Sequence, residues 1–160
     1  MGWEHLGSFE GHTKSVNSLS LSPDGKTLAT GSSNHTINLW SFPDGETHRT
    51  LQDRKKVIAS VRISADGKWI AAGSYGGRVA VWSLSGQELV GIKASTNNLS
   101  SVAFSPDSRT LATSGLGNEI KLWELPAGQP IGTLNGIGFS PDGRWLAIGA
   151  ADKKIRIWEL

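Results

Sequence analysis

The chain contains no cysteine among its 160 residues, which excludes disulfides and thiolate metal sites but does not identify a compartment. It also carries little net charge: 16 Lys and Arg stand against 14 Asp and Glu, and an excess of +2 is too small to argue for nucleic acid. No apolar run is long enough to span a membrane, and the opening MGWEHLGSFEGH lacks the apolar core of a signal peptide. A cytoplasmic location without membrane contact is the expectation. Linkers and low-complexity stretches are lacking too, so one compact domain over 1–160 is expected.

Reactive groupings are equally scarce. The histidines at 5, 12, 35 and 48 lack metal-ligand spacing. Ser22, Ser64, Ser105 and Ser140 recur beside Pro or Ala as turn starters, which is structural work and not that of a nucleophile. The glycine-rich stretches around Tyr75 and Leu116 lie in short turns between strands and not ahead of a helix, so no phosphate loop is read there. Basic residues are not interleaved with exposed aromatics, which again disfavours nucleic acid. No catalytic residue, cofactor or metal site is expected, and the chain is read as not an enzyme.

What the chain does have is repetition. SPDGKTLATGSSNHTINLW from Ser22 to Trp40 returns ungapped as 64–82, 105–123 and 140–158. The closing tryptophans, Trp40, Trp82, Trp123 and Trp158, are spaced by 42, 41 and then 35 residues. A period near 40 with a strand-turn-strand signature indicates a propeller or solenoid. Within a unit, Val16 to Leu21 reads as a strand buried on both faces, because its residues are small or apolar. Ser-Pro-Asp-Gly at 22–25 has the chemistry of a tight turn, and 28–31 and 37–40 read as two further strands around a turn at Ser33, Asn34 and His35. A fourth strand follows Pro43-Asp44-Gly45. The fold class is therefore all-β, in four-stranded antiparallel units at about 11–51, 52–92, 93–134 and 135–160. Residues 5–9 form a lone strand whose equivalents are 47–51, 88–92 and 130–134.

Gly11-His12, the SPDG turn, Gly31-Ser32 and Ile37-x-Leu39-Trp40, recurring in phase over nearly the whole chain, resemble the WD-repeat β-propeller family, especially its bacterial variety. The resemblance implies that each unit is a propeller blade and that strand 5–9 completes the last blade to close the ring, removing an open sheet edge. It also implies a buried hydrogen-bonded set of histidine, Ser or Thr, aspartate and tryptophan in each blade. Structural roles then fall to His12, Trp40, Trp82, Trp123 and Trp158, and the aspartate position holds Asn34, Gly76, Gly117 and Asp152. Only the fourth blade keeps the acid, and only the first keeps Gly-His. The blades are therefore expected to lean on packing. The residue after tryptophan is Ser41, Ser83, Glu124 or Glu159, never aspartate.

The last unit is also short. Thirteen positions separate the end of the outer strand from the turn serine in three units (Phe9 to Ser22, Leu51 to Ser64, Ile92 to Ser105), but six separate Leu134 from Ser140. The missing part is the crossing from rim to inner strand, roughly 14 Å at about 4.8 Å per strand. Residues 133–136 are expected to make that crossing, leaving an inner strand of about 137–140.

Four blades made for a larger ring would each have to turn by about 90°. Two chains sharing strands in an eight-bladed homodimer are preferred, with a four-bladed monomer or a larger assembly as alternatives. Asp24, Asp66, Asp107 and Asp142 collect on one face, and Lys14, Arg54, Lys55, Lys56, Lys153 and Lys154 on the other. The resemblance implies a non-catalytic protein-protein interaction scaffold whose partner is a protein or peptide of acidic character. The expected contact residues are Lys14, Asn34, His35, Arg54, Lys55, Tyr75, Asn97, Asn98, Leu116, Asn118 and Lys153. The alternatives are a truncated or engineered assembly module without ligand, and a sugar- or small-molecule-binding propeller using Trp69 or Trp145, which otherwise fill gaps near the rim.

Overall fold

A computed structural model describes residues 7–53, 56–116, 119–134, 136–139, 145–149 and 155–159. The described strands run as a series of antiparallel meanders. Strands β1 (Val16–Leu21), β2 (Thr27–Ser32), β3 (Thr36–Ser41) and β4 (Thr47–Gln52) form the first sheet in that order. The second comprises β5 (Ile58–Ile63), β6 (Trp69–Ser74), β7 (Arg78–Ser83) and β8 (Glu88–Lys93). The third comprises β9 (Leu99–Phe104), β10 (Thr110–Gly115), β11 (Ile120–Glu124) and β12 (Gln129–Leu134). Among the described residues the fourth sheet has three strands, β13 (Gly136–Phe139), β14 (Trp145–Gly149) and β15 (Ile155–Glu159).

Local chemistry explains why the turn after each inner strand recurs. Ser22 Oγ donates to Asp24 Oδ1 at 2.6 Å, the same oxygen accepts the Lys26 N–H at 3.0 Å, and Ser22 Oγ accepts the Thr27 N–H at 2.9 Å. Ser64 with Asp66 and Ser105 with Asp107 repeat this set. The serine hydroxyl, then the backbone N–H two residues on, hold Asp24 and Asp107 below the usual carboxylate range. At Asp66 burial opposes ionisation, but the Ser64 hydroxyl and the Lys68 N–H and charge outweigh it, and this carboxyl too is lowered.

The core lies between blades. Ile37, Leu39, Ile58, Val61, Ile70 and Trp82 form one layer between the first and second sheets, and Val79, Val81, Leu99, Val102, Leu111 and Trp123 form the next. Glycine sets how closely the sheets approach: a Cβ on Gly31 would sit 2.5 Å from Ile58 Cγ2, and one on Gly73 would sit 2.9 Å from Val102 Cγ1. Serines of each inner strand serve the next, with Ser18 and Ser20 accepting the N–H groups of Val61 and Ile63 at 3.0 Å, and Ser60 that of Val102 at 3.3 Å. These bonds satisfy backbone donors that the ladder leaves open.

Three expectations need correction. β1 is not buried on both faces: Val16, Leu19 and Leu21 are 52%, 63% and 44% exposed, whereas Ile58 and Val61 at the same repeat positions are 0% exposed. The side chains are of one kind, and what differs is the neighbouring blade that covers β5. The crossing over 133–136 is not made either, because Thr133 and Leu134 stay paired with Lys121 and Ile120, and Gly136 already pairs with Gly149. Counted back from its turn serine, Leu134 stands where Val16 stands in the first unit, so one residue both ends β12 and opens the fourth repeat. β13 therefore starts within about 7 Å of the end of β12, the reach of two peptide units. Finally, Gly7 to Phe9, the described part of the expected closing strand, form no strand. The Phe9 ring instead lies 5.7 Å from Trp40 and 6.3 Å from Phe42, an apolar contact within the first blade.

Candidate functional site

Among the described residues, the first three blades are tied differently from one another. In the first, Thr30 Oγ1 accepts the Trp40 indole N–H at 2.8 Å and meets His12 Nε2 at 2.7 Å. His12 Nδ1 faces Asn34 Oδ1 and Thr36 Oγ1, both at 3.3 Å, so Asn34 stands where an acid would orient the ring. Gly11 lets the chain pass, since a Cβ there would come within 3.0 Å of the Trp40 ring.

The second blade has Ala72 at the position of Thr30 and uses charge instead. The Asp53 side chain is fully buried, accepts a 2.5 Å hydrogen bond from Ser74 Oγ and pairs with the Arg78 guanidinium, which also reaches Glu88. A buried carboxylate needs such partners to remain charged. Neither Asp53 nor Arg78 was singled out from the sequence. The available signal was an acid at the repeat position of Gly11 and an arginine at that of Thr36, both in the unit lacking the usual set.

In the third blade, Trp123 donates its indole N–H to Thr113 Oγ1 at 2.9 Å, as Trp40 does to Thr30. Trp82 is buried in the first core layer. Trp158 lies in β15, and Asp152 lies outside the described residues.

The turns between the second and third strands share one face with the loops between blades. Ser33, Tyr75 and Leu116 occupy the same repeat position there, and Tyr75 and Leu116 are 46% and 66% exposed. Lys14 and Asn97 are exposed beside them, and Asn98 is half-buried, accepting the Gly76 N–H at 2.9 Å across blades two and three. Lys56 is exposed, and Lys93 reaches the Gly76 carbonyl. His35 is half-buried at φ 74°, with its Nδ1 unpartnered. Arg54, Lys55, Asn118 and Lys153 lie outside the described residues. The acids Asp24, Asp66 and Asp107 sit at the opposite strand ends, where antiparallel topology puts every turn after an inner strand. Trp69 is half-buried against the second core layer, and Trp145 lies in β14. Among the described residues, no three His, Cys, Asp or Glu are gathered as metal ligands.

The family model "WD domain, G-beta repeat" matches four stretches of this chain, residues 3–41, 45–83, 86–124 and 128–159. The last three matches open before β4, β8 and β12, and all four end one residue past the repeat tryptophan, a frame offset from the sheets. The chain is 45% identical over 47 residues to "WD repeat-containing protein 86" of Homo sapiens, and 44% over 43 residues to "Protein HIRA" of Zea mays. It is 46% identical over 44 residues to "Ribosome biogenesis protein ERB1" of Debaryomyces hansenii. These stretches are 29%, 27% and 27% of this chain and only 12%, 4% and 5% of those proteins. Four in-phase matches over nearly every residue, on sheets of blade topology, leave a plain conclusion: the chain belongs to the WD-repeat family.

Proposed function

We propose that this chain is a non-catalytic interaction module that holds an acidic protein segment against the face bearing the second-to-third-strand turns. The observation carrying this reading is the pair Tyr75 and Leu116, large apolar side chains left exposed at one repeat position with Lys14 and Lys56 on the same face. Aromatic and aliphatic anchors ringed by charge are what a peptide interface needs: the anchors provide the affinity and the cations steer the approach. An array of acidic peptides titrated against the whole chain is expected to yield salt-sensitive binders. Tyr75→Ala with Leu116→Ala should weaken them by about tenfold or more, while Leu89→Ala on the outer strand β8 leaves them unchanged. Binding that survives the double substitution, or no salt-sensitive binder at all, sinks the reading.

Self-assembly is a second reading, favoured by the exposed face of β1. Val16 and Leu19 present to solvent the positions that β5 and β9 bury, and Leu21 one that they half-bury, so a blade of a second copy is the natural cover. Each of these side chains is already about half covered, so covering the rest stabilises the contact by about 1 kcal/mol apiece. Sedimentation should give twice 17.0 kDa at micromolar concentration, and Leu19→Glu should return it to 17.0 kDa. A wild-type particle of 17.0 kDa at that concentration would end this reading.

A further inference from the structure

The threonine at the centre of the first blade's tie makes three contacts. Thr30 Oγ1 accepts from Trp40, lies 3.5 Å from the Asn38 carbonyl, to which it donates, and meets the His12 ring at 2.7 Å. Thr113 in the third blade reproduces the first two, with Trp123 at 2.9 Å and the Lys121 carbonyl at 3.5 Å. The third contact is not made among the described residues, because Ser95 stands at the repeat position of His12. In place of the ring is an open cleft of about 330 Å3, lined by Ser95, Leu99, Thr113, Leu116, Glu119 and Lys121 among others. Glu119 holds the repeat position of Thr36, whose hydroxyl touches the far nitrogen of His12.

We infer that this cleft is a binding site for an imidazole ring, supplied as a free small molecule or as the histidine side chain of a bound peptide. The niche is one this fold already builds around such a ring, with a hydroxyl at one nitrogen and a polar group at the other. Thr113 is 3% exposed and lines the cleft, and its hydroxyl keeps one lone pair to which a ring N–H entering there can donate. The second nitrogen faces the Glu119 side, where the carboxylate is shared with Lys121 at 3.6 Å. The cleft is larger than one five-membered ring and open at its mouth, which leaves room for the backbone carrying a histidine. Leu116, proposed above as a peptide anchor, lines that mouth. The histidine source rests on the proposed peptide-binding function, whereas the free ring does not.

The test is a titration of the isotope-labelled whole chain with imidazole at constant pH and ionic strength, read at the indole N–H signals. A saturable shift is expected at Trp123 and none at Trp40, whose niche His12 already fills. Ser95→His should supply the ring from within, abolishing the shift and raising the melting temperature. Thr113→Val should abolish it by removing the acceptor. No saturable shift, an equal one at Trp40, or one undiminished in Ser95→His overturns the site. A peptide with one central histidine is then compared with its alanine counterpart. Binding about tenfold tighter for histidine identifies a side chain as the occupant. Equal binding alongside a saturating imidazole response retains the free ring and eliminates the side-chain source.

Discussion

Asp53→Ala should cost about 3–5 kcal/mol of folding stability, the penalty for stranding a buried charge. The carboxylate is fully buried and the Arg78 side chain 13% exposed, so removing the acid leaves the guanidinium with only Glu88, itself 43% exposed, and leaves the Ser74 hydroxyl only the Arg78 carbonyl at 3.2 Å. The solvated Arg78–Glu88 contact contributes little in compensation. Against a total of about 5–15 kcal/mol, such a loss brings the chain near unfolding. Urea unfolding of the variant is the measurement. Arg78→Met should cost a comparable amount because it strands the acid, and Asp53→Leu with Arg78→Met should recover most of the loss, since an apolar pair has no charge to desolvate. A single-variant loss below about 1 kcal/mol would mean that the pair is as dispensable as a surface bridge.

Gly77→Ala should cost about 3 kcal/mol or more, combining left-handed backbone strain of about 1–2 kcal/mol with displacement of a loop. Gly77 lies at φ 80°, and an added Cβ would sit 1.9 Å from the Ser95 carbonyl oxygen and 2.6 Å from that of Asn97. Those atoms are backbone, so relief means moving the loop and breaking the Ser95 N–H to Gly77 carbonyl bond, now 2.9 Å. His35 holds the same repeat position at φ 74°, so a side chain is compatible with the turn where no such loop lies over it. His35→Gly should therefore change stability by no more than about 1 kcal/mol, in the stabilising direction. The contrast, read from thermal unfolding of the two variants, separates conformational strain from loop contact. Equal, small effects at both positions would refute the loop argument. Moving this loop also shifts Ser95 and Asn97, so Gly77→Ala should disturb the cleft and the proposed peptide face together.

These two positions show where reading the chain succeeds and where it stops. The turn at 22–25 was legible because proline, aspartate and glycine act within a few residues of one another, and Ser22 and Asp24 meet as that chemistry requires. Asp53 and Arg78 are 25 residues apart and meet only because the fold brings the residue after β4, in the first sheet, beside the start of β7, in the second. β1 and β5 carry the same kind of alternation, yet one is exposed and the other buried, because burial belongs to the neighbouring blade and not to the strand. The cleft beside Thr113 likewise follows from a histidine that the repeat has lost, and its shape depends on how the loop at 93–97 lies.

Period, turn residues and a tryptophan at each third strand were sufficient for an all-β chain of WD-type blades, since those signals are local and repeat in phase. Contacts between residues distant in the chain were not legible: Phe9 packs on Trp40, Leu134 remains in β12, and a buried acid replaces the histidine tie in the second blade. Each depends on which surfaces the sheets bring within a few ångströms of one another, and the free energy of burying a side chain is set by that neighbour and not by its place in the chain.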